Sequence, residues 1–258
     1  MQAADWSELE SEIGRWRDSG RAVEFWLRDD DAARPNRALE RLLALADKSG
    51  VPPALAVIPA QAEAALFAML PSRADVLQHG SDHSNRAAPG EKKTEYPPAE
   101  ATEAALERLA EGRERLAKLA GRSLLDVLAP PWNRISPAVI AGLGNCGIRG
   151  LSRYGARRGA LAAPGIIEIN THVDIIDWKG GRTFIGAKQA LLQATRHLAA
   201  RREGLADAAE PTGWLTHHAC HDKTAWAFLG ELFERFRPEQ GVRWKSAREL
   251  FGEPSLRR

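Results

Sequence analysis

Three consecutive carboxylates, at positions 29–31, follow a short apolar run of phenylalanine, tryptophan and leucine at positions 25–27. Adjacent acids repel one another unless a cation or hydrogen-bond donors absorb their charge. The stretch therefore indicates a metal site or an acid/base site in a loop at the tip of a buried strand. Acid runs in loops are more often solvated turns or helix caps, so this stretch considered alone favours the simpler interpretation.

Two histidines, His79 and His83, stand four positions apart. If a helix starts within residues 80–85, this spacing places both imidazoles on one face, where they can bind one cation. Catalytic zinc takes three protein ligands from histidine and carboxylate and keeps one position open for water. One aspartate from positions 29–31 would complete that set. Paired surface histidines are an equally good interpretation of the two residues alone.

Alternating strands and helices position these residues. The apolar periodicity and the turn signals predict strands at 24–27, 54–59, 75–80, 124–128, 147–151, 166–169 and 213–216, and helices at 39–46, 61–70, 99–120, 187–202 and 223–236. Such alternation favours a parallel α/β fold, and a barrel of this kind collects its chemistry at the carboxyl ends of its strands. We expect residues 1–258 to form one domain, with a motif-bearing core at about 22–222 and a peripheral helix at 5–19.

The overall composition excludes several classes of partner. The chain has 258 residues, and its 36 basic side chains are balanced by 34 acidic ones, for a net charge of +2. This balance predicts no nucleic-acid partner and no attraction to an anionic membrane. Cys146 and Cys220 fit no metal or redox pattern, and the first residues lack the features of a secretory signal. We therefore expect a cytoplasmic protein, with its oligomeric state open.

Five short motifs occur in a fixed order along the chain: Asp29 to Asp31, His79 to His83, Pro130 to Trp132, Asp174 to Trp178, and Leu215 to His218. In these motifs the sequence resembles the polysaccharide deacetylases with a NodB-like domain, of carbohydrate esterase family 4. Each motif alone is weak, whereas five in order across about residues 25–222 are specific. The resemblance implies a single-domain distorted (β/α) barrel of about seven strands. It also implies a divalent metal and the removal of acetyl groups from N-acetylated sugars.

The resemblance implies roles for the early motifs. The first acid of the family's pair is the general base and the second is a metal ligand, while His79 and His83 complete the metal site. Because Ala32 matches the small residue after that pair, Asp30 becomes the base and Asp31 the ligand. Strand alternation then keeps Asp29 facing the other way, although a register of Asp29 and Asp30 remains an alternative.

The late motif supplies the general acid in the family. Counting the pattern LxxH from Leu215 leads to His218, and the adjacent His217 is its rival. In such a site the metal lowers the pKa of water, Asp30 accepts the proton, and a protonated histidine gives a proton to the departing amine. The other histidine of the pair would only pack or form a hydrogen bond.

The remaining motifs imply a substrate groove. Pro131 and Trp132 would form one wall, while Asp174, Asp177 and Trp178 would support the base and a sugar face, since aromatic rings stack on pyranoses. Structural roles are the alternative here, with Trp178 in the core and Asp177 in a turn. Three further histidines lack a motif partner and are interpreted as structural or surface residues: His172, His197 and His221.

One departure from the family pattern concerns the third motif. Ala129 stands where the family has an arginine that orients the catalytic aspartate, so Arg28 or Arg134 would have to replace it. The prediction is a hydrolase of carbon–nitrogen amide bonds that removes N-acetyl groups from a sugar, oligosaccharide or glycoconjugate. Zinc is the expected metal, with cobalt, nickel or manganese as alternatives. A non-sugar amide substrate is one alternative function, and a non-catalytic carbohydrate-binding or regulatory protein, favoured by Ala129, is another.

Overall fold

The computed structural model describes residues 4–237 and 242–252. Its strands, in chain order, are β1 (Val23–Ala32), β2 (Pro53–Val57), β3 (Asp75–His79), β4 (Leu124–Ala129), β5 (Gly150–Leu151), β6 (Leu161–Ala163), β7 (Ile166–Glu168), β8 (Val173–Asp174), β9 (Ile176–Asp177), β10 (Thr183–Phe184), β11 (Thr212–Thr216) and β12 (Val242–Trp244). Its α-helices are α1 (Ser7–Asp18), α2 (Arg37–Lys48), α3 (Ala64–Ala68), α4 (Thr102–Ala120), α5 (Pro137–Gly142), α6 (Ala187–Arg202), α7 (Lys223–Arg235) and α8 (Ala247–Phe251).

One large, mostly parallel sheet forms the centre of the molecule. Eight parallel strands lie in the order β7-β5-β4-β3-β2-β1-β11-β8, with β6 antiparallel to β7 and β12 parallel to the start of β1. The sheet is strongly curved, as contacts of β1 with the segments after β7 and β5 show. Trp26 donates to the carbonyl of Asn170 at 3.1 Å, and Arg28 donates to that of Ser152 at 2.9 Å. The α/β class and the distorted barrel are therefore confirmed.

Aromatic packing holds the helices against one side of this sheet. Phe25 of β1 contacts Trp214 of β11 and Trp244 of β12 edge to face, with ring centres 5.8 and 5.4 Å apart. Helix α1 packs on α6, where Trp16 donates to the carbonyl of Leu198 at 3.1 Å. This helix lies within the expected span of 5–19. The prediction of a single domain over 1–258 stays a prediction.

Two local predictions around the early motifs are wrong. The three acids lie within β1 itself rather than in a loop after it. Residues 80–85 form no helix, because Gly80 and His83 both have positive φ angles, of 62° and 60°, which a right-handed helix excludes. Tertiary contacts, not helical spacing, must therefore bring His79 and His83 together.

No helix in the described part of the chain combines the length and the apolar character needed to cross a bilayer. The cytoplasmic location expected from the sequence stays a prediction.

Candidate metal and active site

Asp31, His79 and His83 converge at the carboxyl ends of β1 and β3. The Oδ1 atom of Asp31 lies 3.1 Å from Nε2 of His79 and 3.3 Å from Nε2 of His83. That oxygen is shielded from solvent and accepts no hydrogen bond from the residues that the structure describes. Two imidazoles and one carboxylate are the donor set of many zinc sites. The three side chains thus form a group that could hold a divalent cation.

The tautomer of His79 fits a metal ligand. Its Nδ1 lies 2.9 Å from the carbonyl oxygen of Ala129, which can only accept, so Nδ1 carries the proton in the neutral ring. The lone pair of Nε2 then faces the carboxylate of Asp31, and the two repel unless a proton or a cation lies between them. Burial lowers the pKa of His79, but Asp30 and Asp31 outweigh burial and raise the pKa overall. The site thus attracts positive charge.

Backbone strain is concentrated at this site. Among the described residues, five that are not glycine have positive φ angles. Two of these, Asp31 and His83, belong to the candidate metal group, and two more, Trp132 and Asn133, follow β4 beside it. Such conformations cost of the order of 1 kcal/mol or more and persist where the surrounding structure imposes them, often at functional sites. At Asp31 the positive φ accompanies a register shift between β1 and β2, which breaks strand alternation there. The irregularity allows consecutive aspartates to serve different partners.

Arg28 orients the carboxylate of Asp30. Its Nε and Nη2 atoms donate to the two oxygens of Asp30 at 2.8 and 3.0 Å, and both side chains are almost completely buried. Further guanidinium contacts go to the carbonyl and hydroxyl oxygens of Ser152 and to the amide oxygen of Asn133. A bidentate pair of this kind fixes both position and orientation. Arg134 instead donates to the carbonyl of Lys93 at an exposed position.

Asp29 faces a different partner, His218. Its Oδ1 atom lies 2.5 Å from Nδ1 of His218, and its Oδ2 accepts from the Thr216 hydroxyl at 2.6 Å and from the His218 amide at 2.9 Å. Burial lowers the pKa of His218, but the Asp29 carboxylate raises it more. The Nε2 atom of His218 lies 3.2 Å from the side-chain amide of Asn36. Both ring nitrogens of His218 therefore have protein partners.

His217 instead lies beside Asp30. Its Nε2 atom is 4.0 Å from Oδ2 of Asp30, and its buried Nδ1 has no hydrogen-bond partner among the described residues. The ring packs edge to face against Trp178, with centres 4.6 Å apart. Trp178 in turn donates to Asp174 at 2.8 Å, and burial raises the pKa of Asp174. His217 therefore lies beside Asp30, with its Nδ1 buried and its Nε2 directed to the side of that carboxylate.

The predicted groove residues divide into two groups. Trp132 lies over the metal group, with its ring centre 4.5 Å from that of His83, and Pro131 packs tightly against Gly80. Trp178 is 44% exposed, so it is a surface side chain at the mouth and not a core residue. Asp177 uses its Oδ1 to accept the backbone amides of residues 179 and 180, which is the turn role considered from the sequence.

Sequence reasoning missed Glu95. This fully buried carboxylate accepts the backbone amides of Ser81 and Asp82 at 2.8 and 3.1 Å and so holds the loop that joins His79 to His83. A Cβ atom at Gly80 would collide with the carboxylate of Glu95, which explains why a glycine follows His79. No local pattern marks Glu95, because its role depends on a contact across fourteen residues.

A second group with ligand atoms close together contains His172, His197 and Glu210. The Nδ1 atom of His172 accepts the amide of Gly213 at 3.0 Å, so Nε2 carries the proton and points at Glu210, 3.3 Å away. The two rings are stacked 3.4 Å apart at 13°, and their in-plane lone pairs therefore do not converge. Arg201 and Arg157 add positive charge beside His172. These contacts favour a neutral, structural histidine pair, as the sequence suggested.

This buried pair predicts acid sensitivity. Burial lowers the pKa of His172 to about 3 and that of His197 to about 2, far below the 6.5 of a free histidine. Below pH 6.5 these two histidines bind protons in the unfolded chain but stay neutral in the folded chain. The free energy of unfolding therefore falls by about 1 kcal/mol per pH unit for each histidine. We expect His197→Gln to reduce this slope between pH 6.5 and 4.5 in urea titrations. An unchanged slope would show that His197 is protonated in the folded state.

Three solved structures have similar folds. A candidate polysaccharide deacetylase from Mycobacterium smegmatis has a TM-score of 0.62 at 15% identity, over 90% of this chain and 89% of that one. The peptidoglycan deacetylase PdaC from Bacillus subtilis has a TM-score of 0.56 at 14% identity, over 89% and 90%. A family 4 acetyl xylan esterase from Clostridium thermocellum, in complex with a cobalt ion, has a TM-score of 0.52 at 15% identity, over 88% and 90%.

These comparisons define the fold of the chain. No protein-family model and no curated protein matches the sequence. The structural likeness nevertheless extends over almost the whole length of each chain. The protein therefore has the fold of the NodB-like deacetylases of carbohydrate esterase family 4. The resemblance drawn from the five motifs is confirmed at this level.

Proposed function

We propose that this protein is a metal-dependent deacetylase that hydrolyses an N-acetyl group on a carbohydrate. The observation that carries the proposal is the placement of an arginine-held carboxylate, Asp30, between the group of Asp31, His79 and His83 on one side and His217 on the other. The similar structures support it, since they include a peptidoglycan deacetylase and an acetyl xylan esterase in complex with cobalt. The proposal also extends to zinc as the native metal, with cobalt, nickel or manganese as substitutes.

Each residue has a separate task in this proposal. Asp31, His79 and His83 would hold the metal, which supplies Lewis acidity to the acetyl carbonyl and to water. Asp30 accepts the proton of the attacking water, and Arg28 keeps its carboxylate aimed at that position. Trp132 and Trp178 border the mouth with aromatic faces suited to a sugar ring. The carbon–nitrogen bond breaks as the amine receives a proton.

We assign the proton donor as His217 rather than His218. The Nε2 atom of His217 lies 4.0 Å from the carboxylate of Asp30, whereas both nitrogens of His218 are engaged by Asp29 and Asn36. A general acid must reach the leaving group, and His218 cannot do so without losing a buried hydrogen bond. His218 therefore acts as a structural link between β1 and the segment after β11.

The function is tested by acetate release from the zinc-loaded protein. N-acetylglucosamine oligomers serve as the sugar substrates, and N-acetylated amines without a sugar test the alternative amide hydrolase. We expect Asp30→Asn to lower kcat by at least about 100-fold, because it removes the base without altering shape. Asp18→Asn, an exposed change on α1, is the matched control. Zinc binding without hydrolysis of any amide would instead support the non-catalytic carbohydrate-binding protein.

The two adjacent histidines give a second prediction. We expect His217→Asn to lower kcat by about 100-fold or more while thermal unfolding stays unchanged. His218→Asn should instead lower the free energy of unfolding by about 2 kcal/mol, since it leaves the buried Asp29 carboxylate without the imidazole N–H that donates to it. Deacetylation rates and urea titrations of both variants separate the two roles. The reverse pattern would assign the acid to His218.

A further inference from the structure

A pocket of about 360 Å³ opens beside the candidate active site and is rich in arginine. Arg153, Arg157 and Arg158 contribute to its lining, together with the side chains of Asn133 and Tyr154. None of these residues has a task in the proposed deacetylation. The pocket lies between the segment after β4, which carries Trp132, and the segment after β5, which carries Ser152.

The pocket is joined to the catalytic aspartate through one side chain. The amide oxygen of Asn133 accepts a hydrogen bond from Nη2 of Arg28 at 3.0 Å, and that same nitrogen holds Asp30. On the other side, Arg28 donates to the carbonyl of Ser152, which directly precedes Arg153. The side chains of Arg28 and Asn133 therefore separate the pocket from the carboxylate of Asp30, and Asn133 directly follows Trp132 in the chain.

The charges of the pocket are only partly compensated. Arg153 is paired with Glu168, and Arg157 is paired with Asp207. Arg158 is exposed and forms no ion pair with any residue of 4–237 or 242–252. Two of the three guanidinium groups in the lining are thus neutralised by carboxylates, and that of Arg158 supplies the net positive charge. Guanidinium groups bind phosphate and carboxylate through paired hydrogen bonds.

We propose that this arginine pocket binds an anionic substituent, a phosphate or a carboxylate, on the substrate whose acetamido group faces Asp30. This inference rests on the proposed deacetylase function and narrows its substrate to acidic or phosphorylated amino sugars. Arg158 provides the charge that no carboxylate neutralises. Asn133 lines the pocket and accepts a hydrogen bond from Arg28, so it lies between the bound anion and the pair of Arg28 and Asp30.

The test compares matched substrates that differ in charge. The zinc-loaded protein is assayed with N-acetylglucosamine, N-acetylglucosamine 6-phosphate and N-acetylmuramic acid, which carry no charge, a phosphate and a carboxylate. We expect kcat/KM to favour at least one anionic substrate by about tenfold, and the better of the two identifies the anion. Arg158→Gln should reduce this ratio by about fivefold or more. Arg122→Gln, an exposed arginine before the amino end of β4, is the control and should leave the ratio unchanged.

A binding measurement separates the two proposals. Calorimetry with glucosamine 6-phosphate and glucosamine reports the anion pocket without requiring turnover. Hydrolysis with equal kcat/KM for charged and neutral sugars, or a ratio that Arg158→Gln does not change, overturns the pocket and leaves the deacetylase intact. Absence of hydrolysis together with phosphate-dependent binding that Arg158→Gln weakens supports the pocket and refutes the deacetylase.

Discussion

Replacing Asp31 with asparagine is expected to weaken zinc binding by at least about 100-fold and to reduce deacetylation to the same extent. The reason is that asparagine keeps the shape of the side chain but removes the negative charge that faces both His79 and His83. The neighbouring histidines also outweigh burial and hold the pKa of Asp31 below its usual range, so the carboxylate is ionised across the whole neutral region. Equilibrium dialysis with zinc and acetate release measure the two effects.

The matched control for this variant is Glu210→Gln in the second histidine group. Since the stacked rings of His172 and His197 are not arranged for a shared ion, this change should leave the zinc stoichiometry unaltered. Loss of zinc in Glu210→Gln together with full binding in Asp31→Asn would show that the metal binds in the group of Glu210 and not in that of Asp31. It would also remove the basis of the proposed function.

Replacing Arg28 with lysine is expected to lower kcat by about 100-fold with little change in KM. Lysine keeps the positive charge that the buried Asp30 requires, but a single ammonium group cannot make the paired contacts to both carboxylate oxygens. The carboxylate then loses its fixed orientation toward the water that it must deprotonate. Steady-state kinetics on the best acetylated sugar, with circular dichroism to confirm folding, measure the effect.

Arg134→Lys is the control for this second variant, since Arg134 donates only to a backbone carbonyl at the surface. It should retain kcat within about twofold. If Arg28→Lys remained as active as the unaltered protein, Arg28 would be a structural residue alone. The alanine at position 129, where the family has an arginine, would then again favour a non-catalytic protein.

The local patterns of the chain predicted most of its regular elements. Helix α6 covers the expected residues 187–202, since most of its residues are strong helix formers, and β3 ends one residue before the end of the strand expected at 75–80. The convergence of the motifs was also predictable. Carboxyl ends of parallel strands meet at one end of a barrel, so polar residues at the carboxyl ends of β1, β3 and β11 had to lie near one another.

The partners of individual side chains could not be predicted in the same way. Spacing alone suggested that His79 and His83 share a helical face, whereas a loop held by Glu95 brings them together. Counting along the late motif led to His218, but the contact with Asp29 engages that ring and leaves His217 beside Asp30. In both cases the outcome depends on contacts between distant parts of the chain.

By itself, the sequence determined the order of strands and helices, the α/β class and the set of acidic and imidazole groups that meet at the barrel mouth. Only the tertiary structure decided that Arg28, on the same strand as Asp30, occupies the role left open by Ala129. It also decided that the irregularity at Asp31 directs three consecutive acids to three different partners. The physical reason is that periodicity records which residues are buried, whereas hydrogen-bond partners and positive φ angles are set by the surrounding fold.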